Sequence, residues 1–286
     1  MDPSIARLRK VESEKRSMEL LIMAPLALAV TLAVRRREAF RFHWRADRHT
    51  WTAVAVGLGA FALSSLLPAF EPGSWIGAVI NYVGIWVVCG FALPWFYALM
   101  VERSGPAGMG LTRKRWKLSL GLNLILGGFF IMAVVSQADW STIDPGEFRA
   151  ATFVLLTGNL FELFLYYGFI HLRLERAFGV IPAILGAAAI YALWHVGTEL
   201  TMYEQFWLGL GKLFLVGIMY QSVFSITRNL LTIWPFFVGG GVLIDFVLDI
   251  KGMGFIAGEW PWAVFVILLM ALSGTGLAWV SRKRKG

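Results

Sequence analysis

The chain has 286 residues, 58% of them hydrophobic and 15% charged, and carries a formal net charge of +8; its mean hydropathy is +0.67. A water-soluble domain of this size needs far less apolar surface, and repeated apolar runs of about 20 residues read as membrane spans, so the composition excludes a soluble globular enzyme. The basic excess is no nucleic-acid signature either: Lys and Arg gather at span ends, no basic patch interleaves with exposed aromatics, and neither a Walker loop nor a dinucleotide fingerprint is present.

In chain order, residues 1–17 form a polar tail of mixed charge. The apolar run 18–34 has basic flanks, and RRRE (35–38) follows it at once, which argues for an anchor rather than a cleaved signal. Eight further apolar runs, at 51–70, 74–100, 117–137, 150–171, 180–200, 206–226, 234–249 and 261–280, are expected to cross the membrane. The expected fold is therefore an all-α, polytopic transmembrane bundle of eight core spans plus the uncertain segment 18–34. The membrane domain would cover 18–280, and SRKRKG (281–286) would be a basic tail. Connections at 35–48, 103–117, 173–176 and 228 are rich in Arg and Lys. The alternate ones, at 71–73, 138–148, 201–205 and 250–260, carry Asp139, Asp144, Glu147, Glu204 and Glu259. This alternation predicts a cytoplasmic C-terminus in the cell membrane. Cys89 is the single cysteine, so no internal disulfide is possible.

An ionisable residue at the centre of a span costs about 2.5–3.5 kcal/mol or more, which makes each one a functional candidate. Three stand out: Glu162 in FELFLYYGFIH, His195 in YALWH, and Asp245 in GVLID. Helical spacing gives each its polar company: Asn159 and Tyr166 beside Glu162, Tyr191, Thr198 and Glu199 beside His195, and Gly241 and Asp249 beside Asp245. Counting from the basic ends puts Glu162 and Asp245 about 16 Å deep and His195 about 20 Å deep, one common layer. His171 reads as interfacial, His43 and His49 as solvated, and Trp51, Trp75, Trp140 and Trp260 as interface anchors.

Three chemistries fit such a layer. A buried Glu has a raised pKa and takes a proton from water, a His orients that water, and a further donor stabilises an oxyanion. Alternatively His195, Glu199 and Glu162 hold a metal ion, although no HExxH is present. As a third option the residues relay protons in a transporter, for which GGG (239–241) is a candidate helix break.

The order of motifs resembles that of the CPBP family of intramembrane endopeptidases, also called the Abi or CAAX-protease family, which carries EExxxR, FxxxH and HxxxN/D on three spans. ELFLYY (162–167), followed by the basic turn RLERAFG (173–179), is similar to the first motif, YALWH (191–195) to the second and GVLID (241–245) to the third. The similar region covers about 150–250. Leu163 and Tyr167 stand where the family has its second Glu and its Arg, and Gly241 stands at the third-motif His. The resemblance implies Glu162 as the water-activating base, His195 as its partner and Asp245 as an oxyanion or orienting group. Asn159, Tyr166, Tyr191, Glu199 and Gly241 would have supporting places. It also implies a mechanism with no cofactor and no metal, and a membrane-associated peptide or protein substrate met in the lipid bilayer. The alternative is a CPBP-like fold without catalysis, serving as a membrane binding, scaffold or immunity protein.

Overall fold

A computed structural model of the chain describes residues 21–71, 73–198, 205–248 and 253–283, without the side chains of 37, 245–248 and 253–255. The expected tail 1–17, Glu199, Glu204 and Asp249 lie outside the described residues. Every regular element among the described residues is helical, as backbone in hydrocarbon requires.

Among the described residues, seven helices are long and apolar enough to cross a membrane: α2 (Arg48–Ala69), α3 (Trp75–Val101), α4 (Trp116–Gln137), α5 (Pro145–Phe178), α6 (Val180–Gly197), α7 (Phe206–Thr227) and α10 (Trp260–Lys283). A shorter apolar helix, α1 (Leu21–Arg35), precedes them. The remaining expected span, 234–249, is helical over Phe236–Leu248 (α8) among the described residues. A short helix, α9 (Met253–Gly258), leads into α10.

Local chemistry sets several boundaries. Asp47 caps α2, accepting from the Thr50 backbone N–H at 2.9 Å, while Thr50 reaches back to the Asp47 N–H. Asp144 caps α5 through the Glu147 N–H at 2.7 Å, with Pro145 in the first turn. Gly179, at φ 98°, makes the sharp junction between α5 and α6, and a Cβ there would strike the carbonyl of Arg41. This turn folds α6 back on α5.

Burial separates inner from outer helices. The α5, α6 and α7 windows are 67%, 61% and 67% buried, against 22%, 22% and 17% for α2, α4 and α10. The inner three therefore form the protein core, while α4 and α10 expose large apolar side chains such as Ile125, Phe129, Leu268 and Leu272, as lipid-facing helices do. Helix α8 lies along α4, α9 against α5, and α2 against α3 and α6.

GGG (239–241) does not break a helix: α8 runs straight through it. Its glycines allow close packing, since a Cβ at Gly240 would come within 2.9 Å of Phe130 and one at Gly239 within 2.9 Å of Leu156. Asn123 of α4 fixes the start of α8. Its amide oxygen accepts from the Phe236 and Phe237 N–H groups at 3.1 and 3.0 Å, and its Nδ2 donates to the Leu231 and Trp234 carbonyls. An intramembrane helix start would otherwise leave those N–H groups without partners.

Candidate functional site

Glu162 closes the α-helical part of α5, and the backbone then widens to π-helical winding over Leu163–His171. Such segments are rare and cluster at functional sites. Gly168 lets this wider helix approach the chain at Met109, whose carbonyl a Cβ would meet at 2.6 Å. His195 lies at the end of α6. The α-helix stops at Trp194, and residues His195–Gly197 form one tight turn.

The sequence-derived stripe around His195 therefore holds on one side only. Tyr191, one turn earlier, is in place. Thr198 has left helical geometry, at φ −119° and ψ −86°, so it does not continue the stripe.

The fold brings Glu162 and His195 together, with Glu162 Oε1 at 3.8 Å from His195 Nε2. Both residues are buried, at 8% and 2% exposure. His195 Nδ1 lies 2.8 Å from the Tyr191 carbonyl. A carbonyl can only accept, so Nδ1 carries the hydrogen and Nε2 is the ring nitrogen that faces the carboxyl group. Oε1 and Nε2 lie farther apart than a direct hydrogen bond and within the reach of one water.

The walls are aromatic and form a closed cycle. Phe161 meets Tyr166 (6.3 Å between ring centroids), Tyr166 meets Tyr191 (5.6 Å), Tyr191 meets His195 (4.6 Å), His195 meets Trp194 (4.5 Å), and Trp194 meets Phe161 (4.9 Å). Such walls hold the local dielectric low and strengthen every charge interaction inside them. Three buried donors belong to the same turns, namely Asn159 Nδ2, the Tyr166 hydroxyl and Trp194 Nε1. None has a hydrogen-bond partner among the described residues. A buried polar group left without a partner costs roughly 1–3 kcal/mol, so each marks a place where an acceptor belongs.

Of the other sequence candidates, Gly241 packs on Tyr220, whose hydroxyl would overlap a Cβ at that position. Asp245 lies on α8, but its side chain is outside the described residues, as is the whole of Glu199. No three His, Cys, Asp or Glu side chains gather among the described residues. Leu163 and Tyr167, at the motif positions where a Glu and an Arg were looked for, are apolar core at 2% and 1% exposure.

The basic turn RLER is corrected. Helix α5 runs on to Phe178, and Arg173 and Glu175 are buried at 1% and 7% exposure. Arg173 clamps Glu102, just past the end of α3, through two hydrogen bonds, at 3.0 and 2.6 Å. Glu175 binds Arg35 of α1 at 2.7 Å and Arg228 at 2.5 Å. His171 is wholly buried rather than interfacial, with Nε2 at 2.9 Å from Ser225 Oγ and 3.6 Å from Glu175. His49, read as solvated, sits 2.9 Å from the Tyr97 hydroxyl and 3.8 Å from Glu102. Composition alone hid these pairs, because their partners are far away in sequence.

No family model, curated protein or solved structure matches the chain.

Proposed function

We propose that the chain is an intramembrane endopeptidase of the CPBP type, acting on a membrane-associated peptide or protein. The observation that supports this most is the buried Glu162–His195 pair, 3.8 Å apart, with the imidazole held by the Tyr191 carbonyl. We take Nε2 as an acceptor, so that a water between it and Glu162 Oε1 donates one hydrogen bond to each and turns its lone pairs outward. Glu162 takes the proton as this water adds to the substrate carbonyl carbon, forming a tetrahedral oxyanion. The Tyr166 hydroxyl and the Asp245 carboxyl, which donates only in its protonated form, are the groups we assign to that oxyanion. The proton then passes to the amide nitrogen, the C–N bond breaks, and a carboxylic acid and an amine leave. His195 stabilises the proton during its transfer. We place the protein in the cell membrane with its C-terminus in the cytoplasm, a reading supported by the alternation of basic and acidic connections.

The test is cleavage of a library of membrane-anchored peptides in proteoliposomes, with wild type, Glu162→Gln and His195→Ala, each with and without a strong chelator. Turnover is expected to fall by about 10²–10⁴ in each variant and to ignore the chelator. Loss of turnover with chelator would move the pair into a metal site.

The non-catalytic reading, a CPBP-like membrane binding, scaffold or immunity protein, draws on Leu163 and Tyr167. Both are core-packed, and the Tyr167 ring lies 5.9 Å from that of Phe224. It predicts no cleavage from folded wild type across the whole library.

A further inference from the structure

A second polar site lies at the opposite end of α5 from its Asp144 cap. A cavity there is lined by Arg45, Asp47, His49, Thr50, Arg173 and Arg176. Three stretches build it: the irregular segment before α2, the first turn of α2, and the last turns of α5. The Arg45 N–H donates to the Ala177 carbonyl at 2.9 Å and ties the first stretch to the third.

The charges in this cavity are not balanced. Asp47 is spent on the helix cap, with one oxygen taking both the Thr50 N–H and the Thr50 hydroxyl at 2.9 and 3.0 Å. Glu102 sits behind the cavity and is spent on Arg173. Arg173 also donates to the Gly168 and Phe169 carbonyls at 3.2 and 3.0 Å, so it is a fixed floor. Two guanidinium groups remain. Arg176 is 58% exposed, lies 3.8 Å from the already committed Glu102 and donates its Nε–H to the Leu172 carbonyl at 3.3 Å, which leaves its terminal N–H groups to spare. Arg45 has no side-chain hydrogen bond or ion pair among the described residues. Two exposed arginines with spare terminal N–H groups beside a buried third suit a phosphate group, whose oxygens accept several N–H donors at once.

The surroundings identify the carrier of that phosphate. The cavity lies at the end of a span, where headgroups lie. Phe40, Phe42 and Trp44 on the preceding segment are 73%, 66% and 70% exposed, and Trp51 on the next turn of α2 is 54% exposed. The expectation that no basic patch interleaves with exposed aromatics is corrected here: over 40–51 these exposed rings alternate with Arg41, Arg45 and Arg48, and at a span end such a pattern suits the headgroup layer, with apolar rings toward the acyl chains and arginines toward phosphates. A soluble phosphate compound would have no use for the exposed rings.

We propose that this cavity binds the phosphate of an anionic membrane lipid, gripped by Arg45 and Arg176 over the Arg173–Glu102 floor. The inference is independent of the proposed peptidase activity. The test uses the full chain, delipidated and placed in nanodiscs of phosphatidylcholine alone or mixed with phosphatidylglycerol, with retained lipid counted by native mass spectrometry. Wild type is expected to keep phosphatidylglycerol selectively. Arg45→Gln/Arg176→Gln is expected to lose that preference by at least about tenfold, as an arginine near an anionic lipid surface is worth about fivefold. A charge-matched control, Arg113→Gln/Lys117→Gln, is expected to keep it. Unfolding temperatures in phosphatidylcholine alone verify that both variants are folded. Equal retention of the two lipids by wild type overturns the proposal. So does equal loss in both double variants, which would mean only diffuse surface charge, and so does displacement of the lipid by inorganic phosphate, which would mark a site for soluble anions.

Discussion

Glu162 is expensive to keep inside a helical core, and the geometry around it says what that expense supports. Its partner His195 has one ring nitrogen tied to the Tyr191 carbonyl at 2.8 Å, so the other nitrogen has a defined role at the carboxyl. Glu162→Gln removes the charge and keeps the shape. It is therefore expected to abolish cleavage in proteoliposomes while the thermal unfolding temperature in detergent stays level or rises, because burying an amide costs less than burying a carboxylate. A fall in both would make Glu162 structural. A different carboxylate, Asp47, shows the opposite balance. The Thr50 backbone N–H, which donates to it, holds its carboxyl below the usual aspartate range. A depressed folded value means that the cap contributes fully above the unfolded aspartate range and is lost as pH falls through the lower, folded one. Asp47→Ala is expected to cost about 1 kcal/mol near neutral pH and Asp47→Asn much less. Unfolding curves across pH check both the size and the sign.

At the scale of elements, two devices hold the site in register. The first is close packing beneath Glu162. Gly90 of α3 lies against Phe161, where a Cβ would come to 2.5 Å from the Phe161 Cβ, and Gly158 of α5 sits 3.0 Å from the Trp86 ring by the same measure. Gly90→Val is expected to push α5 away at the residue before Glu162, costing about 1–3 kcal/mol of overpacking along with activity. Gly128→Val, on a helix face with nothing within 4 Å, is the control expected to change neither. The second device is the buried charge cluster that clamps α1 to the core. Arg35 donates to the Ser225 carbonyl at 2.6 Å and pairs with Glu175, while Thr31 donates to the Ser222 carbonyl at 2.7 Å. Glu175→Ala takes from Arg35 its buried carboxylate, leaving it the exposed Glu38 at 2.6 Å, and loosens Arg228; it is expected to cost up to about 3–5 kcal/mol. Chemical unfolding of wild type, Glu175→Ala and Arg35→Met/Glu175→Leu separates the value of the pair from the penalty of breaking it, since the apolar double variant should recover most of the loss.

At the scale of the whole molecule, the inner helices α5, α6 and α7 are shielded from lipid by the outer ones. Cys89, at 7% exposure on α3, belongs to that shielded interior. A bulky maleimide is expected to leave Cys89 unlabelled in the folded protein and to label it after denaturation. A cysteine placed at Trp207, 79% exposed, in a Cys89→Ala background, is expected to react at once. Rapid labelling of native Cys89 would overturn the packing of α3 against the core.

Much of the molecule is already determined by its sequence. Membrane residence, all-helical architecture and the approximate positions of seven spans follow from partitioning, because hydrocarbon admits only long apolar segments with satisfied backbones. Glu162 and His195 stand out in the sequence for the same reason, as burying ionisable groups is costly, and the fold sets them 3.8 Å apart. Tertiary structure decided which groups meet. RLER reads as a solvated turn until Glu102 and Arg35 arrive, from 71 and 140 residues away, to hold Arg173 and Glu175. GGG reads as a break until α4 packs against it. His195 reads as mid-helix until α6 ends at Trp194. Hydropathy is a property of each residue and is written in the chain one position at a time. A pairing between charges exists only once folding has brought distant segments within a few ångströms, where a low dielectric makes the contact strong.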